Sequence, residues 1–102
     1  MTAVQEVDLH LADGEDRLCV WETEEIRVMR VRLAGKGALP RHATDANVLM
    51  LVVAGALSVV TADGEHTLAP GQALALPLGT EFQVSNPGDE GNVFLVIKTP
   101  RP

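Results

Sequence analysis

Apolar residues in this chain recur either with period two or in short unbroken runs, and turn formers interrupt them about every eight to twelve positions. Val7-Asp8-Leu9-His10-Leu11 alternates, which predicts a strand with one face on a core and His10 on the solvated face. Asp13-Gly14-Glu15-Asp16 supplies a turn, and Leu18-Cys19-Val20-Trp21 reads as the next strand. In Ile26–Leu33 the apolar phase slips between Val28 and Met29, which predicts a bulge there. Val48–Ala54 and Val93–Ile97 do not alternate, so both faces of these strands are expected to be covered. Thr61-Ala62-Asp63-Gly64 predicts a hairpin with Asp-Gly supplying the tight turn. After Pro70-Gly71 an extended segment bends at Pro77-Leu78-Gly79 and continues to Asn86, and Thr99-Pro100-Arg101-Pro102 cannot extend a sheet.

No segment longer than two turns has helical periodicity. Many short strands with regular turns define an all-β sandwich or barrel, and a double-sheet jelly roll manages its edges best at this size. The 102 residues suffice for a single β-barrel domain, 1–102, with its own core. A small barrel covers only the inner face of its strands. The unbroken runs therefore predict a homodimer, with outward residues of one or both runs, such as Leu49 and Leu51, or the N-terminal strands at the contact.

Charge narrows the partners. Fourteen acids against eight bases give a net charge of −6, which repels phosphate backbones and argues against nucleic acid. Eight acids precede Ile26, whereas five bases (Arg27, Arg30, Arg32, Lys36, Arg41) and no acid fall between Ile26 and Arg41. Cross-strand ion pairing explains this segregation, and a surface for an anionic ligand is the alternative. The single Cys19 has no disulfide partner and is expected to pack as a small hydrophobe in a reducing cytoplasm. Trp21 is expected to anchor core packing or an intersubunit contact. The first residues lack the basic-then-apolar pattern of a secretion leader. The longest apolar run, Val48–Val60, is shorter than the roughly 20 residues a bilayer needs, so a cytoplasmic protein without membrane contact is expected.

The stretch from Gly71 resembles the second signature of the cupin family: a glycine, five residues, Pro-x-Gly, two residues, a histidine and, four positions on, an asparagine. Gly71, Pro77, Gly79 and Asn86 stand in place, and Phe82 takes the histidine position. The first signature is similar to the segment closed by Gly55. There Val48 falls where the family has glutamate, Thr44 falls on its second histidine and His42 on its first, with one residue fewer than usual between Gly37 and His42. The resemblance covers Gly37 to Asn86. It implies a double-stranded β-helix, the cupin jelly-roll barrel, in a small bacterial protein. It also implies an interior site where three histidines and a glutamate hold a divalent metal.

In this chain that site keeps only His42. A catalytic metal needs about three nitrogen, oxygen or sulfur ligands; valine and phenylalanine offer none, and a neutral threonine hydroxyl is a poor substitute for imidazole. The expectation is therefore no metal and no cofactor. Asp45 precedes the strand and could turn inward, while Glu81 should point away if Phe82 points in. Val48, Met50 and Val52 share a parity and should face inward with Phe82 and Val84. A small apolar or weakly polar ligand is then expected against His42, Thr44, Val48, Met50, Phe82 and Val84, oriented by one or two hydrogen bonds. The alternatives are a lumen filled by its own side chains, leaving a structural or partner-binding barrel, or an enzyme. As an enzyme it would be an atypical metal-dependent oxygenase or isomerase using His42 and Asp45, or a metal-free isomerase using His42 as base. His42 could also simply hydrogen-bond backbone beside Pro40-Arg41.

Overall fold

The computed structural model describes residues 4–7, 9 and 17–100; the strand expected at Val7–Leu11, with His10, and the turn at Asp13–Asp16 fall largely or wholly outside the described residues. Among those described the order is β1 (Arg17–Glu22), β2 (Arg27–Val31), β3 (His42–Ala43), β4 (Asn47–Ala54), β5 (Leu57–Thr61), β6 (Gly64–Leu68), β7 (Ala73–Leu76), β8 (Glu81–Ser85) and β9 (Val93–Thr99). They form two antiparallel sheets, β1-β2-β9-β4-β7 and β3-β8-β5-β6, the double-stranded β-helix. No helix among the described residues is long and apolar enough to cross a membrane.

Register decides which side chains share the interior. The inner face of the larger sheet is built in cross-strand rows: Arg27, Lys98, Val48 and Leu76; Met29, Val96, Met50 and Leu74; Val31, Phe94 and Val52. Phe82 and Val84 of β8 and Leu57 and Val59 of β5 join the same core cluster. The parity expected of Val48, Met50, Val52, Phe82 and Val84 is observed, since all five are buried. On β4 burial alternates although residue type does not: the outward Leu49 and Val53 are each 39% exposed in the single chain.

Both glycine-dependent bends form as the sequence suggests. At Ala69-Pro70-Gly71-Gln72 and Pro77-Leu78-Gly79-Thr80 the fourth amide donates to the first carbonyl. Gly71 and Gly79 take φ of 85° and 84°, the left-handed conformation that a type II turn demands at its third residue. The hairpin differs in detail. Thr61 pairs with Gly64, so the loop residues are Ala62 and Asp63. The positive φ, 125°, falls on Gly64 at the start of β6 rather than within the turn.

The bulge near Val28 and Met29 also sits differently. Cys19 pairs with Met29 and Trp21 with Val28, so the inserted residue is Val20 on β1 and β2 stays regular. Cys19 and Trp21 are exposed rather than core; among the described strands β1 lies at the edge of its sheet. The phase slip in β2 has another cause: its inward residues are Arg27, Met29 and Val31, and the first of these is charged.

Beyond Val31 two buried asparagines close the barrel. The Asn86 amide donates to the carbonyls of Leu33 (3.0 Å), Ala34 (3.3 Å) and Glu90 (2.7 Å), and its oxygen accepts from Gly88 N (2.9 Å). Asn92 accepts from Leu33 N (2.9 Å) and donates to Ala56 O (2.8 Å). These bonds satisfy loop backbone that burial would otherwise leave unpaired.

Candidate functional site: a cavity between the sheets

The core does not fill the whole space between the sheets. A cavity of about 210 Å³ remains, and all six residues expected at a ligand site (His42, Thr44, Val48, Met50, Phe82, Val84) line it. Deeper in the barrel, Val52, Leu57 and Val59 are fully packed, so part of the interior is filled by its own side chains. The space that stays open is bounded by Met29, Met50, Val84, Phe94 and Val96 on its apolar side.

His42 and Phe82 are direct cross-strand partners on β3 and β8. Their rings lie 4.4 Å apart between centroids at 57°, a tilted contact favourable for aromatic faces and edges. Phenylalanine at the family's third histidine position therefore packs against the retained first histidine. His42 Nδ1 lies 3.0 Å from Pro40 O. A carbonyl only accepts, so in the neutral ring Nδ1 carries the hydrogen and Nε2 is left as the acceptor.

Thr44 has another task. Its hydroxyl donates to Pro77 O (2.7 Å) and accepts from Thr80 N (2.9 Å), while its backbone exchanges bonds with Thr80 O (2.9 Å) and Gly79 N (3.0 Å). This polar clamp ties the β3–β4 connection to the β7–β8 turn. The hydroxyl is thereby engaged with backbone, and through these bonds the residue supports the cavity wall that it lines.

Glu81 points away from the interior, as its parity predicts, and pairs with Arg41 at 3.0 Å on the surface. Asp45 does line the cavity, but its carboxylate accepts from Lys98 Nζ at 3.1 Å. That hydrogen bond, with the charges of Lys98 and His42 in support, holds the Asp45 carboxyl below the usual carboxylate range.

The residues at the four positions of the family metal site do not fit a metal. His42 is one imidazole, Thr44 is bound to backbone, and Val48 and Phe82 present hydrocarbon. Asp45 adds one carboxylate already paired with an ammonium. Among the described residues no three His, Cys, Asp or Glu side chains cluster as a ligand set.

Sequence reasoning missed the cations. Arg17, Arg27 and Lys98 line the same cavity, brought there from β1, β2 and β9. The signal available was the inward parity of Arg27, which it shares with the apolar Met29 and Val31. The expected pairing of acidic and basic strands is seen at Glu22, whose carboxylate lies 3.4 Å from Arg27 Nε.

A two-sheet antiparallel barrel with a cavity between its sheets, lined in part by His42, defines a class of small β-helical domains. This chain belongs to the cupin family: the cupin domain profile matches residues 29–98. Among solved structures it is similar to an RmlC-like cupin with a double-stranded β-helix fold from Methanocaldococcus jannaschii. That protein shares 18% identity at a TM-score of 0.79, with 97% of this chain and 94% of that one covered. A Thermus thermophilus protein is 25% identical at a TM-score of 0.80, with 92% of each chain covered. The polyketide cyclase RemF from Streptomyces resistomycificus is 15% identical at a TM-score of 0.74, with 99% and 80% covered. At the lower identities the likeness concerns the fold alone. No curated protein matches the sequence significantly.

Proposed function

We propose that this cupin is a small-molecule binding or accessory protein whose ligand occupies the cavity between the sheets, held by apolar contact and without a metal. The supporting observation is the cavity itself: about 210 Å³, with Met29, Val48, Met50, Phe82, Val84, Phe94 and Val96 among its walls and a smaller set of polar side chains beside them. A cavity of about 150 Å³ is known to hold a benzene ring, so this one suits a single ring or a short branched chain. Apolar walls with a few placed polar groups are the usual composition of a ligand pocket.

Two measurements test the reading. Elemental analysis of protein purified without chelators should find no stoichiometric divalent ion; one tightly held ion per chain would reject it. With 13C-methyl methionine, neutral ring-sized probes such as benzyl alcohol should shift the Met29 and Met50 methyls. Val84→Phe, which fills the space, should abolish the shift.

One observation favours a second reading, proton transfer without a metal. The bond from Nδ1 to Pro40 O leaves His42 Nε2 as the ring's acceptor beside the cavity. A base so oriented could move a proton on a bound enolisable ligand. Loss of turnover in His42→Gln with ligand binding retained would select this reading over simple binding.

The homodimer belongs with the proposal. Leu18, Trp21, Leu49 and Val53 of the larger sheet are each about 40% exposed in the single chain, and a second copy would cover such a face. Leu49→Glu should convert a dimer to a monomer in sedimentation equilibrium; an intact dimer places the contact elsewhere.

A further inference from the structure

The cavity's polar side is not neutral. In a chain of net charge −6, three of the eight bases line this one cavity, and among the described residues a single carboxylate, Asp45, lines it with them. Arg27 and Lys98 are direct cross-strand partners on the inner face of the sheet. Like charges placed opposite one another repel, and a row that leads on to Val48 and Leu76 offers them a poor dielectric.

The protein answers that repulsion only in part. Asp45 holds Lys98 at 3.1 Å, with an oxygen on a side chain that is itself mostly exposed. Glu22 approaches Arg27 Nε at 3.4 Å, but the alignment is not that of a hydrogen bond, and this buried Nε has no hydrogen-bond partner among the described residues. Arg17 adds a third cation from β1. The floor beyond, from Met29 to Met50 and Val84, is hydrocarbon.

We infer that the ligand is a small organic carboxylate, its anionic end between Arg27 and Lys98 and a ring-sized or short-chain apolar body lying toward Met50 and Val84. The inference rests on the cavity-binding reading and specifies its ligand class. A guanidinium and an ammonium flanking one site match a carboxylate in charge and in donor geometry. A neutral ligand would leave the Arg27–Lys98 repulsion only partly offset by Glu22 and Asp45.

The test compares matched acids and amides of equal shape: phenylacetate with phenylacetamide, and heptanoate with heptanamide. Each is titrated at pH 7 into full-length protein carrying 13C-methyl methionine, with the Met29 and Met50 methyls as reporters. The acid of each pair should saturate at a concentration at least tenfold below its amide. Arg27→Gln and Lys98→Gln should reduce that preference to less than threefold. Arg41→Gln, which removes a cation paired with Glu81 outside the cavity, should leave it unchanged. If Arg27→Gln does not fold, the acid-to-amide ratio on the unaltered chain decides alone. Equal binding of acid and amide overturns the carboxylate inference while the cavity reading stands. No response to either member of either pair overturns both.

Discussion

Replacing Thr44 with valine separates support of the cavity from contact with its contents. Thr44 is buried, and its hydroxyl makes two hydrogen bonds, to Pro77 O at 2.7 Å and from Thr80 N at 2.9 Å. Neither partner is orphaned by the change. Thr80 N also reaches Pro77 O at 3.1 Å, and Pro77 O accepts from Thr80 Oγ1 at 2.7 Å. The loss is therefore the net worth of two hydrogen bonds, about 1–2 kcal/mol, rather than the larger cost of a stranded polar group. For a domain of this size that corresponds to a fall in Tm of roughly 5–15 °C. Thr44→Ser keeps the hydroxyl and removes one methyl, so it should cost at most about 0.8 kcal/mol. Urea denaturation should rank the proteins native, Ser, then Val. Methyl titration with a cavity probe should give affinities within about twofold across all three. A valine variant as stable as the native chain but deficient in binding would refute the reasoning, since the hydroxyl would then belong to the ligand.

The Asp45–Lys98 pair should give a pH-dependent contribution to stability. Because the folded-state Asp45 carboxyl is held below the ordinary aspartate value of 3.8, its contribution is present above that value and is lost as pH falls through the lower folded value. The urea midpoints of the native chain and Asp45→Asn should differ at pH 6, and the gap should shrink as pH is lowered below the ordinary aspartate range; a constant gap would show that the charge is not responsible. Asn86→Asp replaces a donor facing three carbonyl oxygens with an acceptor, at the buried closure of the barrel. It should cost more than about 3 kcal/mol at neutral pH. A cooperative thermal transition within a few degrees of the native one would contradict that placement.

Much of the fold was legible because its determinants are local. Pro70-Gly71 states its turn through a fixed proline φ and a glycine free to take a positive one, and Pro77-Leu78-Gly79 states its own through the same freedom at Gly79. Period two states which of Glu81 and Phe82 faces inward, whatever strand lies opposite. The loss of metal donors at Val48 and Phe82 is likewise a property of residue identity.

Other features depended on neighbours far away in the chain. Whether the interior is filled turns on how two sheets pack side chains from different strands, and the cavity is the remainder of that packing. Arg17, Arg27 and Lys98 look like unrelated surface charges until β1, β2 and β9 align in register and set them on one wall. Cys19 has the composition of a core residue and the position of an edge strand, and position prevails because burial requires an opposing layer. The Thr44 hydroxyl could have faced the lumen until the turn at Pro77–Thr80 folded against it. Residue type and alternation act along the chain and were readable there. Cavity, charge convergence and hydrogen-bond commitment are sums over long-range contacts, which only the folded barrel brings within bonding distance.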